Sequence, residues 1–233
     1  MAIQLIVTVL HALPWWVPLI LVISLLAPLL KTPRVKGWFG EVLLHQCLRL
    51  GLDRGRYRLF RNLILPTPDG TTQVDHVVVS AHGIFVIETK NYAGWIFGSE
   101  RDRTWTQKLG RRSYKFQNPL RQNYKHVRAL AELTGIDDSV LFSLAVFVGG
   151  ATFKTAMPDK VTHAVGALAY IRARRELLLS EAEVEAVVAR IEGGRIQSSR
   201  AADAAHVRHV QALMAARQGG QAAAAPAEPV VSP

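Results

Sequence analysis

A chain of 233 residues with 28 Lys+Arg against 18 Asp+Glu has a formal charge of +10 and a pI near 10.2, which favours polyanionic partners, nucleic acid and anionic lipid alike. The one cysteine, Cys47, excludes an intramolecular disulfide framework and suits a reducing compartment. Its apolar, helical surroundings make it a small core residue.

Residues 3–30 contain no charged side chain, and about 20 apolar residues suffice to cross a bilayer. A cleaved signal peptide would need a basic start and a shorter apolar core, and nothing basic precedes this run. Pro14, Pro18 and Pro28 would bend or tilt the helix, with Trp15 and Trp16 at an interface. Lys31, Arg34 and Lys36 follow at once. The charge bias therefore predicts a single-pass membrane protein, anchored by residues 1–33, whose globular domain faces the cytoplasm.

Val42, Leu43, Cys47, Leu48 and Leu50 recur at helical spacing before Gly51, which predicts a helix over 37–50. Residues 58–65 read as a strand. The turn Pro66-Thr67-Pro68-Asp69-Gly70 follows, and then two β-branched, apolar runs, 72–80 and 84–89, joined by Ala81-His82-Gly83 as a hairpin. Residues 94–115 turn polar and basic. Asn118-Pro119 supplies a cap and a first-turn proline for a helix running toward Gly135. Residues 141–148 form another apolar strand, 161–170 a further β segment or helix start, and Ser180-Glu181-Ala182-Glu183 a capping box opening a helix through Ile191. An amphipathic stretch covers 201–217, and the Gly-, Ala- and Pro-rich tail, 218–233, is expected to be disordered.

Both hairpin strands are apolar on both faces, as in strands covered on both sides. Asp75 and Glu88 are thereby shielded from water, where an unpaired carboxylate costs several kcal/mol. A two-residue turn at Ala81-His82 places Asp75 opposite Glu88, and like charges across a ladder repel unless a cation lies between them. A bulge at Gly83 would shift that register. Lys90, two residues beyond Glu88, shares its strand face, where an ammonium can position a water. His76 and His82 read as a strand residue and a turn residue, with no zinc-like spacing.

Gly40-Glu41, Gln73-Val74-Asp75-His76, Gly83-Ile84-Phe85-Val86-Ile87-Glu88-Thr89-Lys90 and Asn118-Pro119, in this order, resemble the nuclease-related domain (NERD) family of the PD-(D/E)XK nuclease superfamily. Val74 stands where the superfamily's name has proline. The resemblance, from about residue 37 to about 170, implies an α/β fold: a mixed central β-sheet flanked by helices, a restriction-endonuclease-like core. One transmembrane helix would precede this core, residues 34–172, and a helical segment, 173–217, would follow. It further implies that Asp75 and Glu88 hold Mg²⁺ or Mn²⁺, that Lys90 orients the attacking water, and that Glu41 completes the metal shell or holds a bound water. Phosphodiester hydrolysis is the expected reaction, on DNA more than RNA. The basic, aromatic-rich segment 101–128 is the expected nucleic-acid track, with Lys115, Arg121, Gln122, Lys125 and His126 as contacts, although Gln122 and His126 read equally well as capping or packing residues. Two rival readings of the same features are a non-catalytic tethered module that binds nucleic acid or a partner, and a basic surface that serves anionic lipid.

Overall fold

The computed structural model describes residues 32–196, with Pro14, Trp16, Val17, Ile20 and Ser24 before them. The expected anchor over 1–33 lies almost wholly outside the described residues, as do the stretch 201–217 and the tail. Among the described residues no helix is long and apolar enough to cross a membrane.

From Pro33 onward the described chain has nine strands in two mixed sheets, four α-helices and a short 3-10 helix, Asp138–Val140. Helix α1, Pro33–Gly51, begins earlier than the apolar periodicity predicts because proline is preset for a first helical turn and lacks only an N–H that would go unused there. Strands β1 (Arg58–Thr67), β2 (Gly70–Ser80) and β3 (Gly83–Asn91) form an antiparallel meander. Strand β7 (Leu141–Val148) pairs parallel with β3, and β9 (Val161–His163) parallel with β7, giving the order β1-β2-β3-β7-β9. The β2–β3 turn has two residues, with Ser80 opposite Gly83. No bulge shifts the register there. Gly83 has a φ of 114°, and a Cβ on it would meet Phe142 and the Val140 carbonyl.

Helices cover both faces of this sheet. α1 and α3 (Ala164–Arg172) bury Leu44, Leu48, Ala167 and Ile171 against Val78, Phe85 and Ile87. On the other face, α2 (Pro119–Thr134) and α4 (Glu181–Gly194) bury Val127, Leu130, Val187 and Ile191 against Val77, Val79, Ile84 and Val86. This two-sided burial is why β3 is apolar at successive positions. The residues around 161–170 supply both the strand β9 and the start of α3, and the Ser180 capping box opens α4 as predicted.

The sequence reading of 94–115 as simply polar and basic needs correcting. These residues build β4 (Gly94–Phe97), β5 (Thr104–Leu109) and most of β6 (Arg112–Gln117), which join β8 (Ala151–Phe153) in a second sheet, order β6-β5-β4-β8. Only Ile96 and Trp105 are fully buried in its first two strands, so apolar alternation is too sparse to reveal them. Trp105 lies nearly parallel to Phe147, ring centres 6.2 Å apart, and ties this sheet to β7. Burying roughly 200 Å² of indole at about 25 cal/mol per Å² contributes about 5 kcal/mol before side-chain ordering is subtracted.

Candidate active site

The β2–β3 ladder runs from Ser80 opposite Gly83 to His76 opposite Ile87 and then stops. Asp75 and Glu88 are the next positions in this register. On the other edge of β2, pairing with β1 skips from Arg61–His76 to Leu63–Val74 around Asn62, whose φ of 57° is left-handed. Asp75 thus sits where both ladders are interrupted, and its Oδ2 accepts the Thr89 N–H at 2.8 Å. A side chain there does the work of a missing backbone partner.

Glu88 stays in the sheet, opposite Ala145 of β7, and is 3% exposed. A carboxylate so placed requires partners, and each oxygen has one. Lys90 Nζ donates to Oε1 at 2.6 Å, and His126 Nε2, on α2, lies 3.2 Å from Oε2. Lys90 also donates to Gln122 Oε1 at 2.9 Å, while His126 Nδ1 lies 2.9 Å from Thr72 Oγ1. An ionised carboxylate only accepts, so the His126 Nε2 facing it carries the proton. Burial pushes the Glu88 carboxyl up, but His126 and the Lys90 ammonium outweigh it and hold the group below its usual range. For Lys90, burial acts to lower the pKa and Glu88 more than restores it, leaving a firmly held cation.

Asp75 has the opposite balance. Burial, then the charges of Glu88 and Glu41, raise its carboxyl well above the ordinary value, against the Thr89 N–H and Lys90. Glu41 is raised by burial and by Glu88, with Arg61 opposing. Three carboxylates therefore sense one another at the same end of the sheet. Glu41 reaches it because Gly40 lets α1 approach closely: a Cβ there would lie 2.6 Å from Asn91 Cβ and 2.7 Å from Val148. That contact gives the Gly40-Glu41 pair its physical meaning.

Of the expected site residues, Asp75, Glu88, Lys90 and Glu41 gather here, joined by Gln122 and His126. The last two sit against the acid–lysine pair, and His126 is buried. Lys115, Arg121 and Lys125 lie elsewhere, lining a groove of about 830 Å³ with Arg103 and Tyr124. Thr72 and Thr89 escaped the sequence reading, as did Asn123, whose buried amide donates to Val86 O (2.7 Å) and Ser143 Oγ (2.9 Å) and clamps α2 to the sheet. The spacing of Asn123, one residue from Gln122, carries no signal of its own. His76 points to the opposite face from Asp75, stacked on His45 at 5.7 Å, and burial, with His45 and Arg61 beside it, brings its pKa to about 3.

Among the described residues no group of three or more His, Cys, Asp or Glu is arranged as a metal cage. The chemistry of the donor set nevertheless suits a hard divalent cation: oxygen ligands close enough to repel one another, with Asp75 raised first by burial and then by the charges of Glu88 and Glu41. Each Glu88 oxygen, although bonded, keeps a further lone pair.

Fold and site define a mixed α/β domain with a carboxylate–lysine centre at one end of its main sheet. A nuclease-related domain (NERD) is found at residues 36–148, a stretch that takes in every residue of this centre. Over 99 residues the chain is 48% identical to an uncharacterized protein of Bacillus anthracis, an alignment covering 42% of this chain and 46% of the relative. The chain thus matches less than half of that relative's length. No solved structure matches. The domain match is to a nuclease-related domain and covers just under half of the chain.

Proposed function

We propose that this chain is a membrane-anchored, metal-dependent nuclease that hydrolyses phosphodiester bonds in DNA, or in RNA. The observation that carries the reading is Lys90, held between Glu88 and Gln122 at 2.6 and 2.9 Å on the strand face that adjoins Asp75. Asp75 and Glu88, supported by Glu41, would hold Mg²⁺ or Mn²⁺, an ion that offsets charge on the phosphoryl oxygens and acidifies the attacking water. Lys90 fixes the water by hydrogen bonding and stays cationic, so it also faces the anionic phosphoryl group. Gln122 keeps the ammonium in place. His126 holds the second Glu88 oxygen, so the carboxylate keeps its orientation beside the Lys90 ammonium. The uncharged run 3–30, followed by Lys31, Arg34 and Lys36, supports an anchor with the domain on the cytoplasmic side.

The test is hydrolysis of single- and double-stranded DNA and RNA by the full chain with Mg²⁺ or Mn²⁺, against Glu88→Ala and Lys90→Ala. Activity in the wild type alone is expected. A second reading, a non-catalytic tethered module that binds nucleic acid, draws on the fact that both Glu88 oxygens are already bonded within the protein. It wins if all three proteins are equally inert while nucleic acid still binds.

A further inference from the structure

We propose that the groove beside α2 holds a single-stranded stretch of polynucleotide, which passes over Arg121 and Lys125 to reach Glu88 and Lys90 on the helix's other side. This rests on the nuclease reading of the centre and names the form of its substrate.

Side chains on a helix turn by about 100° per residue. Leu120, Tyr124 and Val127, which line the groove, therefore project from one flank of α2, and Gln122 and His126 from roughly the opposite one. The sheet order agrees. His126 reaches Thr72 of β2, whereas Ser143 of β7 and Lys160, just before β9, line the groove, and β3 runs between them. Arg121 and Lys125 occupy the exposed face of α2 between the two flanks. The first half of the helix thus carries a continuous band: aromatic groove, two cations, then the carboxylate–lysine centre.

The groove's chemistry is that of a strand site. Arg103, Lys115, Arg121 and Lys125 line it and form no ion pair among the described residues, while its one carboxylate, Glu100, is paired with Lys160. Tyr124 is 64% exposed and offers a ring face, with Phe116 also in the lining. Cations follow a phosphate backbone and exposed aromatics stack bases, which a duplex keeps within its own stack. The path adds a second argument. A helix with its side chains is about 10–12 Å across, and a polymer running from one flank to the other must bend over that distance. Duplex DNA, with a persistence length of about 50 nm, makes such a bend only at a cost of several kcal/mol, whereas a single strand makes it freely.

Fluorescence anisotropy of the full chain in detergent, with chelator present, tests the proposal using a labelled oligothymidylate and a duplex of equal length. The single strand should bind more tightly at equal salt. Tyr124→Ala should weaken it about tenfold without changing the salt slope, and Tyr124→Phe should restore it. Arg121→Ala and Lys125→Ala should each reduce the slope by about 0.7. Equal affinity for the duplex, or indifference to Tyr124→Ala, overturns the proposal. So does displacement of the oligonucleotide by phosphatidylserine in mixed micelles, to which binding is itself weakened by Arg121→Ala, which assigns the cations to lipid. If the wild type cleaves nucleic acid while Tyr124→Ala changes neither binding nor KM, the groove fails and hydrolysis stands. If the strand binds as described but no divalent ion gives cleavage, the groove stands and the nuclease reading falls.

Discussion

The two flanks of α2 differ in how their side chains are held. On the β2 side, Glu88, His126 and Lys90 are largely removed from water and bonded to one another, so each position depends on its neighbours. Facing the groove, Arg103 just before β5, Lys115 of β6 and Tyr124 of α2 are exposed. A buried network fixes geometry and shifts pKa values, whereas an exposed set supplies field and contact area and little stability. Chemistry that needs a defined water belongs with the first, and sequence-tolerant holding of a long anion with the second.

Substitutions can break that contrast, and the largest effect is expected at Lys90. Lys90→Ala should lower kcat by about 10²–10³-fold, the usual cost of losing one preorganised donor, with oligonucleotide binding retained. A parallel loss of binding would merge the two flanks into one surface. Next comes the metal. Mn²⁺ at a hundredfold excess over its Kd should stabilise the folded chain by about 2.7 kcal/mol, roughly 5–10 °C in Tm for a domain of this size, and Asp75→Asn should abolish the shift. An equal shift in that variant would place the ion elsewhere.

His126→Ala leaves a Glu88 oxygen buried without its partner, and chemical denaturation should register a loss of about 1–3 kcal/mol. Asp75→Asn should act in the opposite direction. The folded-state pKa of Asp75 is raised, so the native chain binds its proton more tightly than the unfolded one does, and stability falls as pH rises from 3.8 through the raised value. The amide removes that loss: its melting temperature should exceed the wild type's at neutral pH, and the two curves should meet below the ordinary carboxylate range. Glu88 has the reverse sign, contributing stability above 4.5 that disappears as pH falls through its lowered value. Smallest of all, Lys115→Ala on the groove should change stability by no more than about 0.5 kcal/mol, because that side chain is exposed and takes part in no ion pair among the described residues.

Much of the fold was legible because local signals agreed with burial. Two-sided apolar runs identified β2, β3 and β7, Pro119 and the Ser180 box marked helix starts, and the two-residue turn at Ala81-His82 gave a register that the ladder follows. The second sheet was hidden: most of its side chains are exposed and only Ile96, Trp105 and Ala151 are buried, so no regular apolar alternation marks its strands. Gln122 and His126 read equally well as nucleic-acid contacts or as capping or packing residues. Helical spacing places them on one face, but it cannot say whether that face meets solvent or a buried carboxylate.

The sequence by itself determined residue chemistry and short-range geometry: which strands are covered on both sides, and that Glu88 and Lys90 share a strand face, because alternation and turn length act over a few residues. Only the tertiary structure decided which distant side chains meet. Packing of α2 across β3 and β7 brought His126 and Gln122 to Glu88 and Lys90, and the bare Cα of Gly40 brought Glu41 toward them. It also split one basic segment into two flanks, since a helix sends neighbouring residues in different directions and only its seat on the sheet fixes what each direction faces.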